Sequence, residues 1–309
     1  MTDVELIYVK TIIEEKSLSR AAEKLFVSQP SLSKSLQKIE YRFGTRLFKR
    51  TNTGLIPTLA GERYYQMAKD ILKIYNDFEI EISDINNLKK GKITVGITPQ
   101  LATYMLPVIL PLFKEECPNI DVSTIERNSS ELEKALASGE IDFAIMFISP
   151  FNEVNNILDV SLELIFKDTF LLVAKKGHHL GKYAIYDKDC EYPRIDITLF
   201  SDEPFIITDH GLRIRQVSEL ILQKADINPL IALTTKSFET ARRLASQGVG
   251  ITFIPRRYIN IFPSTFVPDY YTIDEKYTPY WNLCLAIYKG AYVSKAARTF
   301  MDIIKKNFN

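Results

Sequence analysis

Residues 17–58, SLSRAAEKLFVSQPSLSKSLQKIEYRFGTRLFKRTNTGLIPT, constrain this chain more than any other stretch. Ser28 can cap a helix, because its hydroxyl reaches a free amide of the first turn. Pro30 then falls inside that turn, where its missing N–H costs nothing. Leu32, Leu36, Ile39 and Phe43 follow at spacings of four, three and four. At about 100° per residue they share one narrow stripe that must face a core. Gly44 is a natural stop. A shorter helix is expected over Ser19–Leu25, capped by Ser19, with Ala21 and Ala22 small enough for a second helix to cross tightly. A first helix around Val4–Glu14 offers Leu6, Val9 and Ile13 as its buried side. Residues 46–55 read as two short strands around a turn.

The other face of the 29–43 helix carries Pro30, Ser33, Lys34, Gln37 and Tyr41, with Ser31 and Lys38 at its edges. It is short, polar and positive. Small hydroxyls near a helix start allow close approach to a base edge; Lys34 suits guanine acceptors or phosphate, and Gln29 and Gln37 suit adenine. Arg46, Lys49 and Arg50 would sit beside phosphates. Residues 16–50 hold nine Lys/Arg against Glu23 and Glu40, while the whole chain is only +1. Such a local basic patch is the electrostatic footprint of nucleic-acid binding. Spacing alone leaves open a generic three-helix module with a solvated charged face.

The wording narrows this. Ser17-Leu18-Ser19-Arg20-Ala21-Ala22, Leu25, Ser28-Gln29-Pro30-Ser31-Leu32-Ser33, Ile39-Glu40, Gly44, Leu47-Phe48, Arg50 and Thr58-x-x-Gly61 closely resemble the N-terminal winged helix of the LysR-type transcriptional regulators. The resemblance covers residues 1 to about 65. It implies that the helix Gln29–Tyr41 enters the major groove of double-stranded DNA at a two-fold operator. Gln29, Pro30, Ser33 and Lys34 would approach bases and Arg50 a phosphate, with Ser31, Gln37 and Lys38 completing the DNA-binding set. Lys34 departs from the Arg of many members and lacks its bidentate fork.

Thr58 is expected to cap a long helix running to about Leu88. Tyr64, Ala68, Ile71, Tyr75, Phe78, Ile82 and Ile85 alternate spacings of four and three, a heptad seam that signals helix pairing. The first six are the expected dimerisation residues, and a helix packed on its own domain is the alternative. A head reading a two-fold operator usually needs two copies. The resemblance agrees, since this is the position of the family's dimerising linker helix; it also implies a tetramer of two dimers and extends the partner set to RNA polymerase.

Past Gly91, strands at Ile93–Ile97, Asp121–Ile125 and Ile141–Phe147 alternate with helices at Tyr104–Glu116 and Ser130–Ala137, implying a parallel sheet with helices on its faces. A second α/β unit begins near Phe166. It has strands at Thr169–Ala174 and Glu203–Ile207, helices at Leu212–Lys224 and Ser237–Gln247, and a last segment at Gly248–Pro255. Leu283–Tyr288 returns to the first unit, and a helix over Val293–Lys306 closes the chain. Gly96-Ile97, Leu106-Pro107, Pro118, Gly139-x-Ile141-Asp142-x-Ala144-Ile145 and Gly248-x-Gly250-Ile251-x-x-Ile254-Pro255 resemble the LysR-type effector domain, which has the fold of periplasmic solute-binding proteins. The stretch 182–196 is longer and more charged than is usual there.

The expected fold class is therefore α/β: an N-terminal winged helix-turn-helix (1–58), a long linker helix (59–89) and a two-lobed α/β effector domain of periplasmic-binding-protein type (90–309). Lobe I covers about 90–162 and 267–309, and lobe II about 163–266. Ligands of such sheets bind beyond strand carboxyl ends, near helix N-termini that favour anions. The matching positions are Thr98, Pro99, Gln100, Ser129, Met146, Phe147, Thr208 and Phe253, for a small anionic or amino-acid-like effector. Thr98 and Ser129 serve equally well as helix caps. Arg213 and Arg215 could add charge to the cleft, with a solvated helix surface the favoured alternative.

Other chemistries find little support. His178-His179 reads as a solvated loop, because adjacent side chains point apart and no Cys or acid stands at ligand spacing. Three cysteines, Cys117, Cys190 and Cys284, fit a reducing cytosol rather than a disulfide framework. A peroxide switch would want a resolving partner near Cys190. No G-x-S-x-G elbow, P-loop or H-x-x-x-H pair appears, no cofactor or metal is expected, and no run approaches the ~18 apolar residues of a membrane span. The expectation is a bacterial cytoplasmic regulator, not an enzyme. A small-molecule enzyme or a solute-binding protein with a fused helical domain is the rival reading.

Overall fold

The computed structural model describes residues 2–51, 54–85, 91–149, 159–188, 190–261 and 267–308. The chain divides into two compact units, one built on residues 1–91 and the other on residues 92–137, 141–289 and 295–309.

In the first unit, α1 (Asp3–Glu15), α2 (Leu18–Lys24) and α3 (Gln29–Phe43) are followed by a hairpin of β1 (Phe48–Thr51) and β2 (Gly54–Pro57), and then by α4 (Leu59–Ile85). Ser28 caps α3 as its sequence demands, accepting from the Ser31 amide at 3.3 Å, and Gly44 ends the helix at φ 64°. The α2 cap is Ser17 rather than Ser19: Lys16 ends α1 in the left-handed region, which leaves Ser17 extended and its hydroxyl facing the Arg20 amide. Leu6, Val9, Ile12, Ala21, Ala22, Leu32, Leu36, Ile39, Leu47 and Phe48 form the core, and Tyr64 and Ala68 of α4 complete it. Ile13 packs at its margin, and Phe43 is half exposed, its ring edge-on to Tyr64 at 5.7 Å.

Two contacts fix the hairpin against the helices. Glu40 on α3 accepts from the Leu47 amide at 2.7 Å and the Phe48 amide at 3.3 Å. The Thr58 hydroxyl donates to the Arg46 carbonyl at 2.7 Å and accepts from the Gly61 amide at 3.1 Å. A Cβ on Gly61 would stand 2.1 Å from the Leu47 carbonyl oxygen, so Thr58-x-x-Gly61 is a clasp that only glycine permits.

The second unit contains β3 (Gly91–Ile97), α5 (Pro99–Glu116), β4 (Ile120–Glu126), α6 (Ser129–Ser138), β5 (Phe143–Ile148), β6 (Val160–Ala174), β7 (Pro204–Thr208), α7 (Arg213–Lys224), β8 (Leu230–Thr235), α8 (Phe238–Ser246), β9 (Thr252–Pro255), α9 (Tyr258–Ile261), β10 (Asp269–Thr272), β11 (Tyr280–Tyr288) and α10 (Lys295–Phe308). The main sheet runs β10-β6-β11-β5-β3-β4, with β9 also on β6, while β7 and β8 pair in parallel. The sheet is mixed rather than parallel: β3 and β5 are parallel, but β11 is antiparallel to both β5 and β6. Strand β6 is more than twice the expected length. Its first half pairs with β11, and its second half with β9 and β10, so one strand serves both lobes. Helix α5 starts five residues before the expected Tyr104, because Thr98 takes the cap position and Pro99 the first turn.

The charged stretch 182–196 is pinned rather than loose. Ile185 bridges Arg194, Arg194 bridges Thr272 at the end of β10, and Glu191 pairs with Arg256 at 2.6 Å; Asp189 lies outside the described residues. Among the described residues no helix is long and apolar enough to cross a membrane.

Candidate functional sites

On the first unit, Gln29, Pro30, Ser31, Lys34, Gln37 and Lys38 are all exposed, and Ser33 is half-buried. They lie opposite the buried Leu32, Leu36 and Ile39, so α3 presents a continuous polar face. Neither Lys34 nor Lys38 has an ion-pair partner among the described residues. Two other cations of the patch are matched: Lys24 pairs with Glu15 at 2.7 Å, and Arg42 with Glu5. The Arg42 guanidinium holds the Glu5 carboxyl below its usual range. These acids stand outside the 16–50 window, so the patch is weaker than its composition suggests and concentrates on α3 and the hairpin. The Arg50 side chain lies outside the described residues, as does that of Ile85.

The six expected pairing residues of α4 fall into two groups. Tyr64 and Ala68 belong to the unit's own core, and Ile71 packs against it. Tyr75, Phe78 and Ile82 are exposed, joined by Ile74, which the heptad reading left out. The physical reason is that one helical stripe first passes over α1 and then runs beyond it.

On the second unit, a cavity of about 260 Å³ opens where the carboxyl ends of β3 and β5 meet α6 and α7. Thr98, Pro99, Gln100, Ser129 and Phe147 line it, as expected. Thr98 makes no side-chain cap bond, so its hydroxyl is not used by its helix. Ser129 is not a cap either. Asn128 is, accepting from the Glu131 amide at 3.0 Å while its own amide donates to Glu131 at 3.3 Å, a capping box legible as N-x-x-E. The amides of Ser129 and Ser130 at the start of α6, and of Gln100 and Leu101 at the start of α5, have no carbonyl partner within their own helices, and Ser129 and Gln100 line the cavity.

Three expected residues lie elsewhere. Met146 packs under α6 with Leu132, Ala135 and Cys284, because neighbours on a strand face opposite sides of the sheet. Phe253 is buried against Phe205, with ring centres 5.8 Å apart. Thr208 is buried behind the start of α7. Its carbonyl accepts from Arg215 at 3.0 Å, and its hydroxyl has no partner among the described residues.

Apart from Arg213, offered as the alternative cleft cation, the cavity's remaining wall is outside the expected set. Arg127 and Asn128 follow β4; Leu212, Arg213 and Ile214 start α7; Phe238, Tyr258 and Trp281 close the apolar side. Trp281 stacks on Phe147 at 3.8 Å and 12°, and Phe238 meets Tyr258 edge-on at 4.5 Å. Behind Trp281 lies Asp168, its register partner on β6, which accepts from the indole N–H at 3.4 Å and the Arg257 amide at 3.3 Å. Burial pushes this carboxyl up to about 6. The two arginines read as solvated are buried. Arg213 lines the cavity and pairs with Glu133 of α6 at 2.7 Å; Arg215 pairs with Glu219 at 2.7 Å. Each is buried because it has a carboxylate or carbonyl to meet, which no local pattern announces.

The histidine pair also differs from its reading. The fold brings Glu203 to it, with Glu203 oxygens 3.7 Å from His178 Nε2 and 3.5 Å from His179 Nε2. Burial lowers the His178 pKa.

Comparison with known proteins agrees with both units. Residues 4–62 match the bacterial regulatory helix-turn-helix proteins of the lysR family, and residues 86–309 match the LysR substrate binding domain. The HTH-type transcriptional regulator YcgK of Bacillus subtilis is 26% identical, over 97% of this chain and 93% of its own length. A probable RuBisCO transcriptional regulator of Trieres chinensis is 30% identical, over 81% of this chain and 79% of its own. Among solved structures, a full-length OxyR variant from Pseudomonas aeruginosa superposes with a TM-score of 0.70 at 23% identity, covering 99% of this chain and 95% of that one. Full-length CbnR in complex with its target DNA gives 0.62 at 18% identity, covering 99% of both. The chain belongs to the LysR family of bacterial helix-turn-helix transcriptional regulators.

Proposed function

We propose that this regulator binds a small organic anion in the α5/α6/α7 cavity and reads a two-fold DNA site with the exposed face of α3. The observation that carries the effector reading is the cavity's composition. Two helix starts and the side chains of Arg127 and Arg213 favour negative charge, while Phe147, Phe238, Tyr258 and Trp281 offer apolar walls. No carboxylate is in its described lining, which favours a simple acid over an amino acid, whose ammonium group would want one. At about 260 Å³ the space is near the lower end of ligand pockets.

For DNA, Gln29, Pro30, Ser31, Ser33, Lys34, Gln37 and Lys38 are the contact set, with Arg50 assigned from its place in the hairpin. The structure of CbnR in complex with its target DNA supports this use of the shared fold. Self-association would use the exposed Ile74, Tyr75, Phe78 and Ile82 of α4, because the upper seam is already occupied. The effector acts by binding one arrangement of the two lobes more tightly than another.

The test is a thermal-shift screen of the full-length protein against organic acids and amino acids, followed by Trp281 emission for each hit. A specific acid should raise Tm and alter the emission of the cavity's tryptophan. If only amino acids shift Tm, the reading of the charge is wrong. If no fragment from the protein's own gene region is retarded at low salt, the DNA reading falls.

A further inference from the structure

Lobe II carries a cluster that neither the α3 face nor the effector cavity uses. His178 caps the 3-10 turn His179–Tyr183 that follows β6, and Glu203 stands immediately before β7. One carboxylate faces both imidazoles: its Oε2 is 3.7 Å from His178 Nε2, and its Oε1 is 3.5 Å from His179 Nε2. The two rings are 4.6 Å apart, and one donor atom from each of the three residues lies within 4.8 Å of the others. We propose that His178, His179 and Glu203 bind one divalent transition-metal cation of the zinc class.

Spacing, donor type and the balance of rigidity and access support this assignment. Ligand atoms held at ~2.0–2.1 Å around a tetrahedral ion are about 3.3–3.4 Å from one another. Both His–Glu separations, each to a different carboxylate oxygen, are within a few tenths of an ångström of that edge; the two imidazole donors, within 4.8 Å of each other, close by at most about 1.5 Å. The second is donor type. Two imidazoles and a carboxylate suit zinc, cobalt or nickel, whereas calcium and magnesium prefer all-oxygen sets. The third is the balance of rigidity and access. The His178 ring is fixed against Phe200 with centroids 5.5 Å apart, and its side chain is 13% exposed. The His179 side chain is 67% exposed, which leaves room for water as a fourth ligand.

Binding has one local cost. The Leu180 amide donates to His178 Nδ1 at 3.3 Å, so Nε2 holds the proton in the metal-free protein. A cation on Nε2 moves that proton to Nδ1 and gives up this single long cap bond. In return the metal ties the turn after β6 to the start of β7, on the lobe whose α7 lines the effector cavity.

The experiment is cobalt and zinc titration of the full-length, thiol-reduced protein, followed by visible absorption and calorimetry. The expected result is one saturable equivalent with the ligand-field bands of nitrogen–oxygen coordination. His179→Ala and Glu203→Gln should each weaken binding by more than the about 10–100-fold typical of losing an outer-shell partner. His210→Ala, which changes the chain's third histidine, should leave binding as it was. His179 is exposed enough that its variant should retain the wild-type circular dichroism and Tm, which separates ligand loss from misfolding. No saturable equivalent, binding that survives both variants, or a thiolate charge-transfer band would each overturn the proposal. In those cases the cluster is a hydrogen-bonded His–Glu group, or the metal sits on cysteine.

Discussion

Asp168→Asn tests the reasoning about the cavity's buried wall. Asp168 is 3% exposed and lies behind Trp281, with its carboxylate held by the indole N–H and the Arg257 amide. Burial outweighs these bonds and raises its pKa from 3.8 to about 6. The folded protein therefore holds this proton more tightly than the unfolded chain does. That contribution is complete below about pH 3 and is lost as pH rises through about 6, where the buried group must ionise. Raising a carboxyl by this much corresponds to roughly 3 kcal/mol. Asparagine keeps the shape and one acceptor but stays neutral throughout. The stability difference, wild type minus Asp168→Asn, should fall by about 3 kcal/mol between about pH 3 and pH 7.5. Urea unfolding followed by the emission of Trp281, the only tryptophan, measures this directly. The variant's own offset at low pH does not matter, since only the pH dependence carries the argument. Parallel pH profiles for the two proteins would refute it.

Three further outcomes follow from named contacts. Gly61→Ala sets a Cβ 2.1 Å from the Leu47 carbonyl and 3.2 Å from the Pro57 Cβ. It should cost about 1–3 kcal/mol and lower the head's melting transition by several degrees in calorimetry of the whole chain; a shift under about 2 °C would dismiss the clasp. Lys34→Ala should weaken operator binding by about 1–3 kcal/mol in fluorescence anisotropy and relax preference at one base, and unchanged affinity would remove Lys34 from the reading face. Phe78→Glu puts a charge into the exposed apolar strip of α4. Sedimentation equilibrium should then report dissociation, whereas an unaltered oligomer would place the pairing surface elsewhere.

What the sequence made legible was chemistry that acts over three or four residues. Ser28 with Pro30, Gly44 and Thr58-x-x-Gly61 each fix a local backbone event, and each is found where it was read. What it concealed needed distant partners. Glu133 is far in sequence from Arg213, and Trp281 from Asp168, so the buried arginines and the indole wall had no local signature. Glu203 stands apart from His178-His179 for the same reason. Strand β5 shows a different limit. All six of its residues are buried, so its apolar run hides which side each faces, and Met146 could not be told from Phe147. Strand β8 escaped notice because LIALTT is largely exposed and does not alternate.

The α4 seam shows why periodicity cannot name its own partner. A stripe at spacings of four and three states only that a helix buries one face. Tyr64 and Ala68 satisfy it against the helices of their own unit, while Tyr75 and Phe78 continue the same phase and remain exposed. The sequence has no mark at Ile71 to divide the two roles, since intramolecular and intermolecular packing demand the same residues. The division appears only when the length of α4 is set against the height of the unit it leans on. Four large apolar side chains, Ile74, Tyr75, Phe78 and Ile82, are then left on a surface that a monomer has no use for. It is this remainder, rather than the heptad as a whole, that argues for a second copy.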